Sequence, residues 1–252
     1  MMQSNCFALV TGTSSGVGTA VARALLERGW RVLGVARRTS PLAHDAYEHL
    51  QVDLGDTKSL PDAIGRRLTT LLTAHDWRRV GLVNNAADPG LLGQVANLDA
   101  RRLADVFAVN VSAPLWLMGA FVRSTPPSTV VRIVNVSSGA AVRGYPGLGA
   151  YGTSKAALRM AGMVLAAEIE GAPDPKRRDR RISILSYEPG IVDTPMQANA
   201  RAQSAEVLPS VAMFAAFAAE RRLVSPDTPA REIADFLEGD SPEHFAERRL
   251  RA

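Results

Sequence analysis

Tyr151 and Lys155 stand four residues apart in the run Tyr-Gly-Thr-Ser-Lys. In a helix that spacing puts both side chains on one face. A free tyrosine has a pKa of about 10, too weak an acid to exchange protons readily at neutral pH. A neighbouring ammonium stabilises the phenolate and lowers that pKa, which would make Tyr151 a general acid/base. A surface tyrosine–lysine contact has the same signature. Residue usage bears on the choice: of 29 Lys+Arg only Lys58, Lys155 and Lys176 are lysines. A lysine where arginine would serve points to a need for the amine itself.

Three further groupings could do chemistry. In Thr11-Gly12-Thr13-Ser14-Ser15-Gly16-Val17-Gly18 a short apolar run gives way to glycines and then to helical spacing. Glycines let backbone amides approach a phosphate, and a helix N-terminus favours its negative charge. An ordinary glycine-containing turn is the alternative; the strand before and the helix after favour dinucleotide binding. In Asn135-Val-Ser-Ser138-Gly139 a hydroxyl at a strand end can donate to a substrate oxygen as charge builds on it, or Ser and Gly simply turn the chain. Asn110, inside a long helix, could hold a water or a carbonyl, or be a satisfied buried amide.

The elements that must position these groups alternate. Strands are expected at Phe7–Thr11, Arg31–Ala36, Leu50–Leu54, Val80–Asn84, Val130–Val136 and Arg181–Tyr187. Helices are expected at Val17–Arg28, closed by Gly29, and at Ser59–Thr73, Asp99–Arg123 with Asp99 as N-cap, and Tyr151–Glu170. Such alternation means an α/β fold with a mainly parallel, doubly wound sheet and helices on both faces. Ligands of such sheets sit at the carboxyl ends of the strands. The distinctive residues fall there: the glycine turn, Arg37-Arg38, Asp53, Asn84-Asn85, Ser137-Ser138 and Pro189-Gly190.

Composition sets the frame. The 252 residues are 46% hydrophobic and 21% charged, enough apolar material for a substantial core and not the balance of a disordered chain. No domain boundary shows, so residues 1–252 read as one domain. The net charge of +4 is scattered apart from short clusters at Lys176–Arg181 and Arg248–Arg251. That argues against a nucleic-acid partner, which would need a patch. The single Cys6 excludes an intramolecular disulfide and reads as a core residue. The opening MMQSNCF has no positive n-region, and no run of 18 apolar residues occurs, so neither a signal peptide nor a membrane span is expected. A cytoplasmic location is the expectation.

Taken together, TGTSSGVG, VNNAA, Asn110, Ser138 thirteen residues before Tyr151, YGTSK and Pro189-Gly190 resemble the short-chain dehydrogenase/reductase family over about residues 5–195. The resemblance implies a single Rossmann-type domain with a seven-stranded sheet, and hydride transfer between NAD(P)H and a carbonyl or alcohol. Carried over by motif, Tyr151 is the acid/base, Ser138 polarises the substrate oxygen, Lys155 holds the nicotinamide ribose and tunes Tyr151, and Asn110 supports a proton-relay water. The same resemblance gives the cofactor residues as Gly12, Ser14, Ser15, Gly16, Val17, Gly18, Arg37, Arg38, Asp53, Leu54, Asn85, Ala86, Pro189, Gly190, Val192 and Thr194, with Tyr151 and Lys155. No metal is implied. The family's long helices pair between subunits, so a homodimer or homotetramer is expected. Trp116, Met118, Phe121, Met160 and Met163 would form the surplus apolar surface.

The second half, with TVVRIVNVSSGAA and EPGIVDTPMQANAR, is similar to the sepiapterin reductase and benzil reductase branch. That branch implies an NADPH-dependent reductase of a vicinal dicarbonyl or of a pterin side-chain ketone. Ala87 stands where the family usually has Gly, and Glu188 where Ser or Asn is usual. The near-C-terminal acid that holds a pterin has no convincing match, Glu247 being the nearest acid, which favours a diketone or aromatic ketone. An acid ending strand two would bind the ribose hydroxyls of NADH and repel a 2′-phosphate. Here Val35-Ala36-Arg37-Arg38 has none, so NADPH/NADP+ is the expected cofactor, with Arg37 on the phosphate and Arg38 adding a contact. Residues 196–224 would form a substrate lid, with helices at Ala198–Ala202 and Ala212–Ala219 hinged by Pro195, Pro209 and Pro226. A non-catalytic NADP(H)-binding sensor or scaffold is the rival reading.

Overall fold

Strand residues alternate their side chains across the pleat, and in a sheet covered on both faces every position is buried. The first strand shows this. Phe7 and Leu9 enter one core, while Cys6, Ala8 and Val10 enter the other. A computed structural model describes residues 5–178 and 180–250. Residues 1–4 of the opening stretch, Asp179 within the first basic cluster and Arg251 in the second lie outside the described residues.

Among the described residues seven strands form one parallel sheet: β1 (Cys6–Thr11), β2 (Arg31–Ala36), β3 (Tyr47–Gln51), β4 (Arg79–Asn84), β5 (Val130–Val136), β6 (Ile182–Glu188) and β7 (Phe245–Arg249). Their spatial order is β3-β2-β1-β4-β5-β6-β7. The order reverses between β1 and β4, which opens a crevice at the carboxyl ends of those strands. One face is covered by α2 (Arg66–Thr73), α4 (Ala113–Ser124) and α5 (Gly149–Glu170), through Leu68, Leu72, Leu117, Met118, Phe121 and Ile169. The other is covered by α1 (Gly16–Glu27) and α9 (Asp227–Glu238), through Val21, Leu25, Ile233 and Leu237. Between them in sequence lie α3 (Ala100–Phe107), the one-turn α6 (Pro175–Arg178), α7 (Pro195–Arg201) and α8 (Val211–Ala219).

The structure moves several expected boundaries. The third strand begins at Tyr47 and ends at Gln51, so Asp53 and Leu54 follow it. As an edge strand it is only half-buried and alternates weakly. The expected helix at Ser59–Thr73 is a π-helical turn, Pro61–Gly65, running into α2. The expected single helix at Asp99–Arg123 is α3 and α4 joined by a π-helical turn, Ala108–Ser112. Asp99 does cap α3, its carboxylate accepting from Arg102 N at 2.9 Å. The stretch Ala100–Ser124 has the length and hydropathy of a membrane span. Leu117, Met118, Ala120 and Phe121 nevertheless pack into the sheet core. Met118 and Phe121 are therefore core residues rather than surplus surface; Leu115, Met160 and Val164 are the exposed apolar residues of α4 and α5.

Candidate active site

The carboxyl end of β5 meets α5 around a buried cation. Lys155 is 2% exposed, and its Nζ donates to Val136 O at 2.7 Å. Nζ also lies 5.7 Å from the centroid of the Tyr151 ring, so the expected same-face pairing is present. Burial lowers the Lys155 pKa from 10.5 to about 8. Tyr151 differs from expectation. Desolvation raises its pKa above the ordinary value, and the opposing effect is a hydrogen bond from Ser138, not the ammonium. Taking a phenolate out of water costs more than a neutral phenol, and Lys155 directs its charge at a carbonyl.

Ser138 caps the 3₁₀ turn Gly139–Ala141, with its Oγ accepting from Ala140 N at 3.2 Å. That bond uses a lone pair and leaves the hydroxyl proton to donate to Tyr151 or to a substrate oxygen. Asn110 sits in the π-helical turn and is 1% exposed. Its Oδ1 accepts from Asp88 N at 2.8 Å, and its Nδ2 donates to Asp88 O at 2.9 Å and to Ser154 Oγ at 3.0 Å. The side chain thus clips the segment after β4 onto α5, one residue before Lys155.

The glycine turn is shaped for close approach. Gly12 has φ +78°, and a Cβ there would lie 2.6 Å from Asn85 Nδ2. A Cβ on Gly18 would lie 2.3 Å from Gly12 O, so helix α1 starts in direct contact with the turn. Asn85 holds the far side, its Nδ2 donating to Thr11 O at 2.9 Å, while Asn85 N and Ala86 N both donate to Thr11 Oγ1 at 3.0 Å. Thr194, the N-cap of α7, faces Gly16. Val192 is buried and bridges to Val224, closing the base of residues 196–224. Gly190, after Pro189, takes φ +74°.

The remaining cofactor candidates divide. Arg38 Nη2 lies 3.5 Å from Ser14 Oγ and 3.4 Å from Ser15 Oγ, beside Val17 at the start of α1. Arg37 is exposed and makes no such contact among the described residues. Asp53 is exposed and accepts from Gly55 N at 2.9 Å, forming its own turn. Leu54 is buried in the core.

A family model described as short chain dehydrogenase matches residues 6–205. The protein belongs to the short-chain dehydrogenase/reductase family. This dehydrogenase/reductase is 28% identical over 240 residues to a benzil reductase ((S)-benzoin forming) of Bacillus cereus, covering 92% of this chain and 94% of that one. It is 29% identical over 256 residues to a sepiapterin reductase of Xenopus tropicalis, covering 92% and 91%. Among solved structures, a short-chain dehydrogenase/reductase from Saccharomyces cerevisiae superposes with a TM-score of 0.81 at 26% identity, covering 98% of this chain and 96% of that one.

The nicotinamide dinucleotide of the family fits the residues present. Glycines stand where a Cβ would strike backbone or a buried amide, an α1 of 12 residues starts at the turn, and a buried lysine lies at the crevice. Sequence reasoning missed Thr11, Ser154 and Arg159 in the dehydrogenase/reductase. Thr11 is a polar residue ending an apolar strand, which is a readable signal. Arg159 has none: it lies one turn past Lys155 and pairs with Glu247 at 2.8 Å, from β7. These two line a pocket of about 320 Å³ with Ser137, Ser138, Val142 and Glu188.

Proposed function

We propose that this enzyme is an NADPH-dependent carbonyl reductase acting on a ketone or vicinal dicarbonyl of the benzil type. The observation that carries the reading is the Tyr151 ring 5.7 Å from the buried Lys155 ammonium, with the Ser138 hydroxyl acting on the phenol. A sensor or scaffold would have no use for that arrangement. The bound cofactor supplies the hydride. Ser138 turns its proton from Tyr151 to the substrate oxygen, and Tyr151 Oη, a phenol that burial makes still harder to ionise, gives up its proton as negative charge collects there. Lys155 holds positive charge near the phenol so that the phenolate left behind is less costly, and binds the nicotinamide ribose. Asn110 acts through Ser154 and Asp88 to hold the site's walls, and supports the relay that returns a proton to Tyr151.

NADPH is supported over NADH by the acid-free end of β2 and by Arg38 beside Ser14 and Ser15. The phosphate contact is assigned chiefly to Arg38, with Arg37 as the addition. A pterin substrate is less well supported, because the carboxylate of Glu247 is taken up by Arg159. Residues 196–224 serve as the lid of a single domain, the enzyme is a homodimer or homotetramer through α4 and α5, and its place is the cytoplasm.

The test is consumption of NADPH with a panel of diketones, quinones and pterins, in wild type and Tyr151→Phe. The expected result is turnover of a diketone that falls by about 10² or more in Tyr151→Phe, with NADPH binding retained. Wild-type rates in Tyr151→Phe would overturn the mechanism.

A further inference from the structure

Tyr47 and His49 carry polar groups that the chemistry above leaves unused. They stand two residues apart on one face of β3, with ring centroids 6.1 Å apart. The Tyr47 phenol crosses β2 to reach Thr13 Oγ1 at 3.0 Å, inside the glycine turn. The crossing depends on Gly34 of β2. A Cβ there would lie 2.2 Å from the phenol oxygen and 2.7 Å from Thr13 Oγ1.

The same phenol lies 3.1 Å from His49 Nδ1, and His49 Nε2 lies 3.1 Å from Arg38 O. A carbonyl only accepts, so Nε2 carries a proton. The Tyr47 hydroxyl donates to Thr13 Oγ1, and its oxygen lies against His49 Nδ1. The frame closes from the other side: Ser40 Oγ donates to Thr13 O at 3.2 Å, and Thr19 Oγ1 donates to the same carbonyl at 2.8 Å. Arg38 is thereby held at both ends, its main chain by His49 and its guanidinium near Ser14 and Ser15. An exposed arginine loses rotamer and backbone freedom when it grips a phosphate. A segment anchored beforehand has less to lose and binds more tightly.

We propose that Tyr47 and His49 are positioning residues that hold Arg38 for the 2′-phosphate and so set the preference for NADP(H). The proposal rests on the NADPH reading above. It predicts a loss confined to the phosphorylated dinucleotide, since Tyr47 and His49 act through Arg38.

Isothermal titration calorimetry of the full chain with NADP+ and with NAD+ tests it in His49→Ala, His49→Gln and Tyr47→Phe. His49→Ala and Tyr47→Phe should each weaken NADP+ binding about three- to tenfold, the size of one neutral hydrogen bond, with NAD+ binding unchanged. His49→Gln, which keeps a donor where Nε2 stood, should recover most of the loss. Unchanged NADP+ affinity in both Tyr47→Phe and His49→Ala overturns the proposal, as does equal weakening toward both dinucleotides. Should His49→Ala fail to fold, Tyr47→Phe, which keeps the ring and loses only the oxygen, decides alone. A wild type that binds NAD+ as tightly as NADP+ overturns the NADPH reading instead.

Discussion

Lys155 Nζ donates to Val136 O at 2.7 Å, tying the helix that carries Tyr151 to the end of the strand that leads into Ser138. The ammonium is buried, and its pKa falls from 10.5 to about 8. The unfolded chain keeps its proton to higher pH, so between those values it binds more protons than the folded one. The charge-burial cost is therefore full below about pH 8 and is relieved as pH rises toward 10.5. Activity runs the other way. As Lys155 loses its charge above about pH 8, the phenolate loses its support. The value of kcat/KM for the cofactor, which reports the free enzyme, should be level below that pH in the reduction direction and fall above it. A rate still rising well beyond it would contradict this role.

Arg38→Ala should raise the KM for NADPH about tenfold or more, since a hydrogen bond to a charged group is worth about 1.5–3 kcal/mol. Arg37→Ala should do less, because Arg37 is exposed and, among the described residues, it is Arg38 that reaches Ser14 and Ser15 of the turn. NADH kinetics should be nearly unchanged in both. A larger effect at Arg37 would reverse the assignment.

Gly18→Ala should destabilise the fold by about 1–3 kcal/mol, the usual cost of overpacking. The new Cβ meets Gly12 O, a backbone atom that cannot swing aside. Urea denaturation checks this; a midpoint equal to wild type would show that the turn and α1 can separate without cost.

Helix α8 is apolar along its length, and none of its residues is buried, Phe214 and Phe217 included. Amide protection across residues 196–224 should therefore rise when cofactor and substrate are both bound. Equal hydrogen exchange in the free and ternary states would count against lid closure.

Leu115, Met160 and Val164 are each about half exposed on α4 and α5, at 51%, 52% and 48%. Apolar side chains at that exposure on neighbouring helices gain by pairing with a second copy. Light scattering should give at least a dimer mass, and Met160→Glu should shift it toward the monomer. A monomeric wild type in dilute solution would refute the interface.

Much of the site was legible in the chain because it is local. The spacing of Tyr151 and Lys155 on a helix, the glycines of 12–18 between a strand and a helix, the Asp99 cap and the acid-free end of β2 are all consequences of neighbours in sequence. The β–turn–α–β order then places these pieces at one edge of a parallel sheet, whatever the rest of the chain does. The third strand misled because an edge strand, buried on neither side fully, carries little periodicity, and Asp53 drew its boundary too far along. The π-helical turn at Asn110 left no trace because it depends on Asp88 and Ser154, 22 and 44 residues away.

Other pairings exist only once strand register and burial bring distant residues together. Arg38 rather than Arg37 faces the glycine turn, since the chain leaving β2 is held at Arg38 O by His49 and tied at Ser40 to Thr13 O. The Tyr151 pKa is raised rather than lowered, because desolvation outweighs the Ser138 hydroxyl while the ammonium is turned toward Val136. Glu247 answers Arg159 across the sheet edge and Tyr47 reaches Thr13 over Gly34. Residue type and spacing name the groups able to do the chemistry; distance and exclusion of water decide which of them meet and in what state of charge.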